Sequence, residues 1–281
     1  MKIIVIGAGP AGVTLAETLR QFDKHAEITM LSSEPFPPYS PPALIEHFLT
    51  GQEVHFWKGK DFADRLGVNY LPNTKVIEVL PANRTIRLAD GRTLSYEQLV
   101  IATGSRLYAP VSGADKQGIY NFKSLSAAEE LVRRVREGRA RKALIVGAGF
   151  IGIEIALLLR GLGVEVTQIE MADRVMPRML DSETAGIAFD VLRERGIDVR
   201  LNTKAIAFLG DPRIEKVELE TGESMVVDIV IAATGVKPNI EFLKGSNIET
   251  QWGVLADDYL RTNIPEIYAA GDAAETRDRI S

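Results

Sequence analysis

Two stretches of this chain share one pattern of apolar and polar positions. Lys2 to Glu34 reads KIIVIGAGPAGVTLAETLRQFDKHAEITMLSSE, and Lys142 to Arg174 reads KALIVGAGFIGIEIALLLRGLGVEVTQIEMADR. Each opens on a basic residue and a short apolar run that predicts a strand. Each then breaks at Gly-x-Gly-x-x-Gly, continues as an apolar stretch of helical length, and closes with a second apolar strand and an acidic residue. A later pair of strands extends the echo: Leu99 to Gly104 (LVIATG) is answered by Val230 to Gly235 (VIAATG). The chain is therefore two related units. Strands alternating with helices predict parallel sheets and an α/β class.

Between these landmarks the pattern is coarser. Pro35 to Pro42 holds five prolines in eight residues, which excludes helix interior and central strand and predicts an extended loop. A short helix is expected over Ala43 to Leu49. Alternation from Val68 to Leu94 predicts strands with a turn at Asp90-Gly91. Ser124 to Glu137 reads as a helix capped by Ser124 or Ser126, and Asp181 to Gly196 as another, closed by Gly196. Asp228 to Thr234 reads as a buried strand.

Composition narrows the chemistry. With 281 residues and 46% hydrophobic content the chain can fill two cores. A net charge of −5 argues against binding nucleic acid through its phosphates. The absence of cysteine removes disulfides, thiolate catalysis and cysteine-ligated zinc or iron–sulfur centres. It also suits a reducing cytoplasm, the expected location. Met1 to Gly9 has neither the basic segment nor the cleavage site of a signal peptide. Ile151 to Leu159, the longest apolar stretch, carries Glu154 and is too short to span a bilayer. His25 and His55 have no metal-ligand spacing, so no metal site is expected.

The glycine loops carry the functional signal. In the first, Gly7 permits a tight turn, Gly9 lets backbone approach a pyrophosphate, and Gly12 lets helix and strand pack closely. Pro10 suits the first turn of the helix, whose free N–H groups would face the phosphates. Gly147, Gly149 and Gly152 repeat the arrangement. A single such loop is also compatible with an ordinary glycine-rich turn, but two copies with matching flanks weigh against that. Glu170 ends the second strand of the second unit, where a carboxylate accepts from ribose hydroxyls and repels a 2′-phosphate. NAD is therefore expected over NADP, with Arg174 able to soften the preference. In the first unit Ser32 and Glu34 would share the ribose. Two dinucleotides on one chain point to electron transfer between a resident flavin and a visiting nicotinamide. The alternative is a duplicated nucleotide domain with one inactive site.

GAGPAG at Gly7, LVIATG at Leu99, GAGFIGIE at Gly147, AATGVKPN around Ala233 and IYAAGDAAE at Ile267 occur in the order seen in a known group. The chain resembles the FAD-dependent pyridine nucleotide–disulfide oxidoreductases. The likeness is greatest to the branch with NADH oxidases, coenzyme A disulfide reductases, rubredoxin and ferredoxin reductases, and the flavin part of nitrite reductase. The resemblance implies two Rossmann-like domains, an NAD domain (114–238) inserted into an FAD domain (1–113 and 239–281). It implies that Gly7, Gly9, Pro10, Ala11 and Gly12 cradle the FAD pyrophosphate and that Val76 meets the adenine through its backbone. Ala102, Thr103 and Gly104 would flank the flavin, and Asp272 would hold the ribityl and pyrophosphate region. Gly149, Ile151, Gly152, Glu170 and Gly235 would bind NADH. Phe150 would cover the nicotinamide slot, and Glu154 would sit beside the contact between nicotinamide and flavin. Read from the residues alone, Glu154 is an acid on an early helical turn.

Two departures from the family pattern change the expected activity. Pro42 stands where the relatives carry a redox cysteine, so sulfenic-acid and mixed-disulfide chemistry are closed by that route. Glu46 stands near a lysine of the ferredoxin reductases. Glu46 and His47 are either a proton-handling pair or, the weightier reading, two polar residues of a surface helix. The relatives also continue past the Gly-Asp motif into a closing helix and a dimer domain, whereas this sequence stops at Ser281. A homodimer is expected only where that part is present. The expected activity is hydride transfer from NADH to FAD. Electrons would then pass to rubredoxin or another small iron protein, a quinone or oxygen. The alternatives are a flavin module feeding a terminal reductase such as nitrite reductase, and a redox-sensing FAD/NADH-binding module without turnover.

Overall fold

The computed structural model describes residues 1–55, 59–120 and 122–276; the closing Arg279-Ile280-Ser281 lies outside them. Ten strands form two parallel sheets: β1 (Lys2–Ile6), β2 (Glu27–Leu31), β3 (Asn69–Leu71), β4 (Gln98–Ile101), β5 (Ile119–Tyr120), β6 (Lys142–Val146), β7 (Glu165–Ile169), β8 (Asp198–Arg200), β9 (Ile229–Ala232) and β10 (Ile267–Ala269). Among the described residues the helices are α1 (Pro10–Phe22), α2 (Leu44–Thr50), α3 (Phe62–Leu66), α4 (Leu125–Arg136), α5 (Phe150–Gly161) and α6 (Ser182–Glu194). None is long and apolar enough to cross a membrane.

The chain divides into two compact units. The first comprises Met1–Pro41, Glu53–Arg106 and Lys237–Ser281. Its sheet runs β10-β4-β1-β2-β3 with all pairs parallel. The unbroken apolar run of β1 follows from cover on both faces. Ile3 and Val5 pack with Val13 and Ala16 of α1, while Ile4 and Ile6 pack with Val79 and Ile86 beyond the opposite face. Ile4 and Val5 are wholly buried, each contributing about 2 kcal/mol through removal from water.

The second unit comprises Pro42–Gln52 and Leu107–Val236, and its sheet runs β8-β7-β6-β9-β5. Its run β8-β7-β6-β9 repeats β3-β2-β1-β4 of the first sheet in order and direction. The repeat extends beyond the glycine-loop segments and the later Thr-Gly strands. Between β3 and β4 lies a three-stranded antiparallel sheet, Val76–Leu80, Thr85–Leu88 and Thr93–Ser95; between β8 and β9 lies its counterpart, Ala205–Leu209, Lys216–Leu219 and Ser224–Val226. Even the register irregularity recurs, between Val76 and Glu78 and between Ala205 and Ala207.

The unit boundaries differ from those expected. The chain passes between units at 106/107 and 236/237 rather than at 113/114 and 238/239. The crossing strands Ser105–Leu107 and Val236–Pro238 pair with each other. Gly113 is already inside the second unit: Phe208 donates its N–H to the Ser112 carbonyl at 2.8 Å. Residues 42–52, expected in the first domain, also pack with the second unit. There the Phe48 ring meets Phe122 edge-on at 6.1 Å, and Arg136 donates to the Phe48 carbonyl.

Local chemistry accounts for most element ends. Ser124 caps α4 by accepting from Ala127, and Asp181 caps α6 by accepting from Thr184 at 2.8 Å. Gly196 takes the left-handed conformation just after α6. The proline-rich loop runs without regular structure to Ser40. It then closes as a 3-10 turn, Pro41–Ala43, because fixed proline φ suits a first turn. At the end of α1 the Arg20 guanidinium donates to five carbonyls, those of Asp23, Lys24, Ala26, Leu66 and Gly67. One planar group thus ties the exits of α1 and α3 together.

Arg20→Met is expected to lower stability by about 1–2 kcal/mol, because three part-buried and two exposed carbonyls lose a charged donor. Arg20→Lys should recover little, since an ammonium cannot match the fork. Urea unfolding midpoints of the three proteins check this.

Candidate dinucleotide sites

Both glycine loops lie at the carboxyl edge of a parallel sheet, between the first strand of the unit and the helix that follows it. Within each loop the three glycines answer two different needs. A Cβ on Gly7 would lie 2.1 Å from the Ala102 carbonyl oxygen, and one on Gly147 would lie 2.5 Å from that of Ala233. Both residues also have φ above +100°. A Cβ on Gly12 or Gly152 would lie 2.2 or 2.3 Å from the carbonyl oxygen of the first glycine of its own loop. The middle glycines, Gly9 and Gly149, have no atom within 4 Å of a Cβ position. Outer glycines are small because protein backbone fills their space; middle glycines face open space.

The helices behind these open positions begin without a side-chain cap. Gly9 and Gly149 are the N-caps of α1 and α5, and neither helix has an acid in its first turn. The capped starts of α4 and α6 show the contrast. Unpaired N–H groups with a partial positive charge thus lie behind an opening, which fits a pyrophosphate in each unit. Pro10 holds the first helical position of α1.

In the first unit the predicted residues converge on the strand ends. Ala102 lies against Gly7, and Gly7 donates its N–H to Leu31, one residue before Ser32. The Ser32 hydroxyl accepts from the Glu34 N–H at 3.1 Å, and the Glu34 carboxylate accepts from the Tyr39 hydroxyl. Asp272 is exposed in a 3-10 turn after β10 and accepts from the Ser105 hydroxyl at 2.6 Å. Ala11 lies beside that turn, against Gly271. Thr103 and Asn239 bond reciprocally: the Thr103 hydroxyl donates to the Asn239 carbonyl at 2.8 Å, and the Asn239 amide returns a bond at 3.0 Å. Gly104 accepts from the Asn239 N–H. Val76 buries its side chain at the start of the antiparallel sheet, two residues after Thr74, whose N–H donates to the Ser32 carbonyl.

In the second unit Glu170 is buried, with only 8% of its surface exposed. It accepts from Ala148 at 2.8 Å and from Ala172 at 3.0 Å, so its carboxylate stands directly under the glycine loop. Phe150 and Ile151 are exposed at the start of α5. Gly235 is exposed, and its carbonyl accepts from Tyr108; the neighbouring Thr234 hydroxyl donates to the Tyr108 carbonyl at 2.6 Å. Arg174 is paired with Asp173 rather than with Glu170.

Three further singled-out positions lie away from the glycine loops or deeper in a helix. Glu154 is the fifth residue of α5, just past its first turn. Burial holds its carboxyl above the ordinary carboxylate pKa. Glu46 is exposed, and the His47 ring bonds the Gln52 carbonyl at 2.6 Å, which closes a surface helix end rather than forming a proton relay. Pro42 lies in the 3-10 turn of the segment that packs with the second unit. Ser105, Tyr108, Gln168 and Asn239 also line these arrangements, but sequence reading did not single them out. Their partners lie 21 to 167 residues away in the chain, so no local motif marks them.

Together the two loops, the strand-end residues and the uncapped helices define a protein with two dinucleotide-binding units. The chain belongs to the pyridine nucleotide-disulphide oxidoreductase family, whose model matches residues 1–281. It is 33% identical to an NADH oxidase of Methanocaldococcus jannaschii, with 100% of this chain and 65% of that protein aligned. It is 32% identical to a rubredoxin-NAD(+) reductase of Pseudomonas putida, covering 99% of this chain and 73% of that one. Among solved structures, an NAD-dependent persulfide reductase from A. fulgidus superposes with a TM-score of 0.87 at 32% identity, over 98% of this chain and 54% of that one. The chain thus spans roughly half to three quarters of the length of these relatives. The family and the α/β fold expected from the motif order are both borne out.

Gly147→Ala should destabilise the second unit by about 3 kcal/mol or more, since overpacking and a positive φ act together. Gly149→Ala should change stability by less than about 1 kcal/mol. Thermal melts of both variants test the contrast. For Glu154 the raised folded pKa favours the neutral form. Stability is highest, with no burial penalty, below the unfolded value, near 4.5, and falls as pH rises to the folded value and the carboxyl ionises. Glu154→Gln should therefore be more stable than the parent at pH 8 and show no such gain at pH 4, read by denaturant unfolding at each pH.

Proposed function

We propose that this chain is the cofactor-binding part of an FAD-dependent NADH oxidoreductase, with FAD at loop 7–12 and NADH at loop 147–152. The observation that carries the reading is the duplicated arrangement of an uncapped helix start behind an open middle glycine. The assignment of FAD to the first loop and NADH to the second rests on the family resemblance. FAD held at the first loop would supply the chemistry of hydride acceptance from NADH and of onward electron transfer to an acceptor.

The chain's own residues would bind and orient. The first N–H groups of α1 and α5 would hold the two pyrophosphates, with no acid in either first turn to oppose them. Asp272, steadied by Ser105, would accept from the sugar-like part of FAD, and Ala102, Thr103 and Gly104 would flank the flavin, with Thr103 held by Asn239. Ser32 and Glu34 would take the first ribose, and Val76 the adenine. In the second unit Glu170 would accept from the ribose hydroxyls and repel a 2′-phosphate, favouring NADH over NADPH. Gly235 and Ile151 would line the coenzyme path, Phe150 would cover the nicotinamide slot, and Glu154 would lie beside the nicotinamide. Pro42 supplies no thiol, and the chain has no cysteine elsewhere. Electrons therefore leave without a protein disulfide in this chain. The acceptor is a small iron protein of the rubredoxin kind, a quinone or oxygen, and the protein works in the cytoplasm.

Protein purified under nitrogen should be yellow, or become so with added FAD. NADH should bleach the colour at least about tenfold faster than NADPH, since each tenfold corresponds to roughly 1.4 kcal/mol of discrimination. A protein that takes up no flavin, or that NADPH reduces as fast as NADH, would overturn the FAD site or the role of Glu170 respectively.

A further inference from the structure

The two glycine loops are not held alike. At the register position one residue before the end of the second strand, the first unit has Met30 and the second has Gln168. Both side chains are completely buried. The Gln168 amide nitrogen donates to the Gly147 carbonyl at 3.0 Å. A carbonyl can only accept, so the nitrogen must face it. The amide oxygen is then left buried without a partner. An apolar side chain of similar length, such as methionine, would avoid that cost.

Two residues further on, the Glu170 carboxylate accepts from the Ala148 N–H at 2.8 Å. The Gly147 carbonyl and the Ala148 N–H are the two ends of a single peptide group. Gln168, the penultimate residue of β7, and Glu170, the first residue after it, thus hold that group from both ends. In the first unit Met30 has no donor to offer the Gly7 carbonyl, and the Ser32 hydroxyl is engaged with Glu34.

We propose that Gln168 is a positioning residue for the nicotinamide dinucleotide. With Glu170 it clamps the 147–148 peptide and preorganises loop 147–152 before the coenzyme arrives. The inference rests on the reading of this loop as the NADH site. A resident flavin stays in its loop and helps to hold it. A coenzyme that enters and leaves on every turnover meets the ordering cost each time, unless folding has already met it. The clamp also joins two properties, because the carboxylate that would select the ribose is the one that secures the loop.

Gln168→Met, which copies the first unit at nearly constant volume, separates these roles. In the NADH-free protein, hydrogen exchange read by mass spectrometry should speed up in peptides covering residues 147–153. Anaerobic titration should show NADH binding weakened about tenfold, the scale of one lost buried hydrogen bond. Flavin content and the reduction rate at saturating NADH should stay within about twofold of the parent on the same reasoning. Unchanged exchange and unchanged NADH affinity would overturn the inference. So would a fall in flavin content or limiting rate equal to the fall in affinity, which marks a general structural role. Gln168→Leu substitutes if the methionine variant does not fold. A parent protein that binds no NADH would remove the coenzyme reading and this inference together. A parent that binds NADH as tightly as the variant does would remove this inference alone.

Discussion

The constraint on which both units depend is the closeness of backbone to backbone at the first glycine of each loop. Gly7 presses on the Ala102 carbonyl and Gly147 on the Ala233 carbonyl, at separations that leave no room for a Cβ. The third glycine then lets the helix lie against that same turn. With these approaches closed, the helix starts where the sheet ends, and its free N–H groups point past the strand edge. Any larger residue would push the helix away and turn that edge elsewhere. Packing and binding are therefore consequences of the same missing side chains.

Around that constraint the chain is built twice. Each unit places an apolar strand at the centre of a parallel sheet, covers one face with the helix that follows, and carries a three-stranded antiparallel sheet just before β4 or β9. The duplication lets differences be read as adaptations. One copy ends its second strand in Ser32 and Glu34, engaged with each other and with Tyr39; the other ends in a buried Glu170 bonded to its loop. One buries Met30 beneath the loop, and the other Gln168. These differences fall beneath and beside the loops, where a resident and an exchanging dinucleotide would place different demands. The lack of cysteine fits the same division of labour, with the protein supplying placement and the cofactor the electron chemistry.

Much of this was legible in the chain. Strand, loop and helix at each repeat follow from an apolar run cut by glycines, because only a covered strand tolerates such a run and only glycine fits the turn. Ser124 and Asp181 mark helix starts for a local reason, since a side chain can bond an amide three residues on. The unit boundaries were less legible. Gly113 has the look of a linker, yet the neighbouring Ser112 is stitched to Phe208, a residue 96 positions along the chain. Helix α2 is contiguous in sequence with the first unit, yet Phe48 finds its aromatic partner in Phe122. Contiguity carries no information about which core an amphipathic segment will enter.

The sequence by itself determined the fold class, the duplication, the position of both glycine loops and the family, because each depends on residues within about 30 positions of one another or on the order of short motifs. Tertiary structure alone decided which side chains meet at the strand ends. Thr103 reaches Asn239, Ser105 reaches Asp272 and Gln168 reaches Gly147 only after parallel strands have brought their carboxyl ends to one edge. A parallel sheet joins residues through long crossovers, so the contacts that shape its sites have no fixed spacing in the chain. Hydrophobic pattern and glycine placement are local quantities and can be read directly; the pairing of polar groups across strand ends is a global one, set by packing.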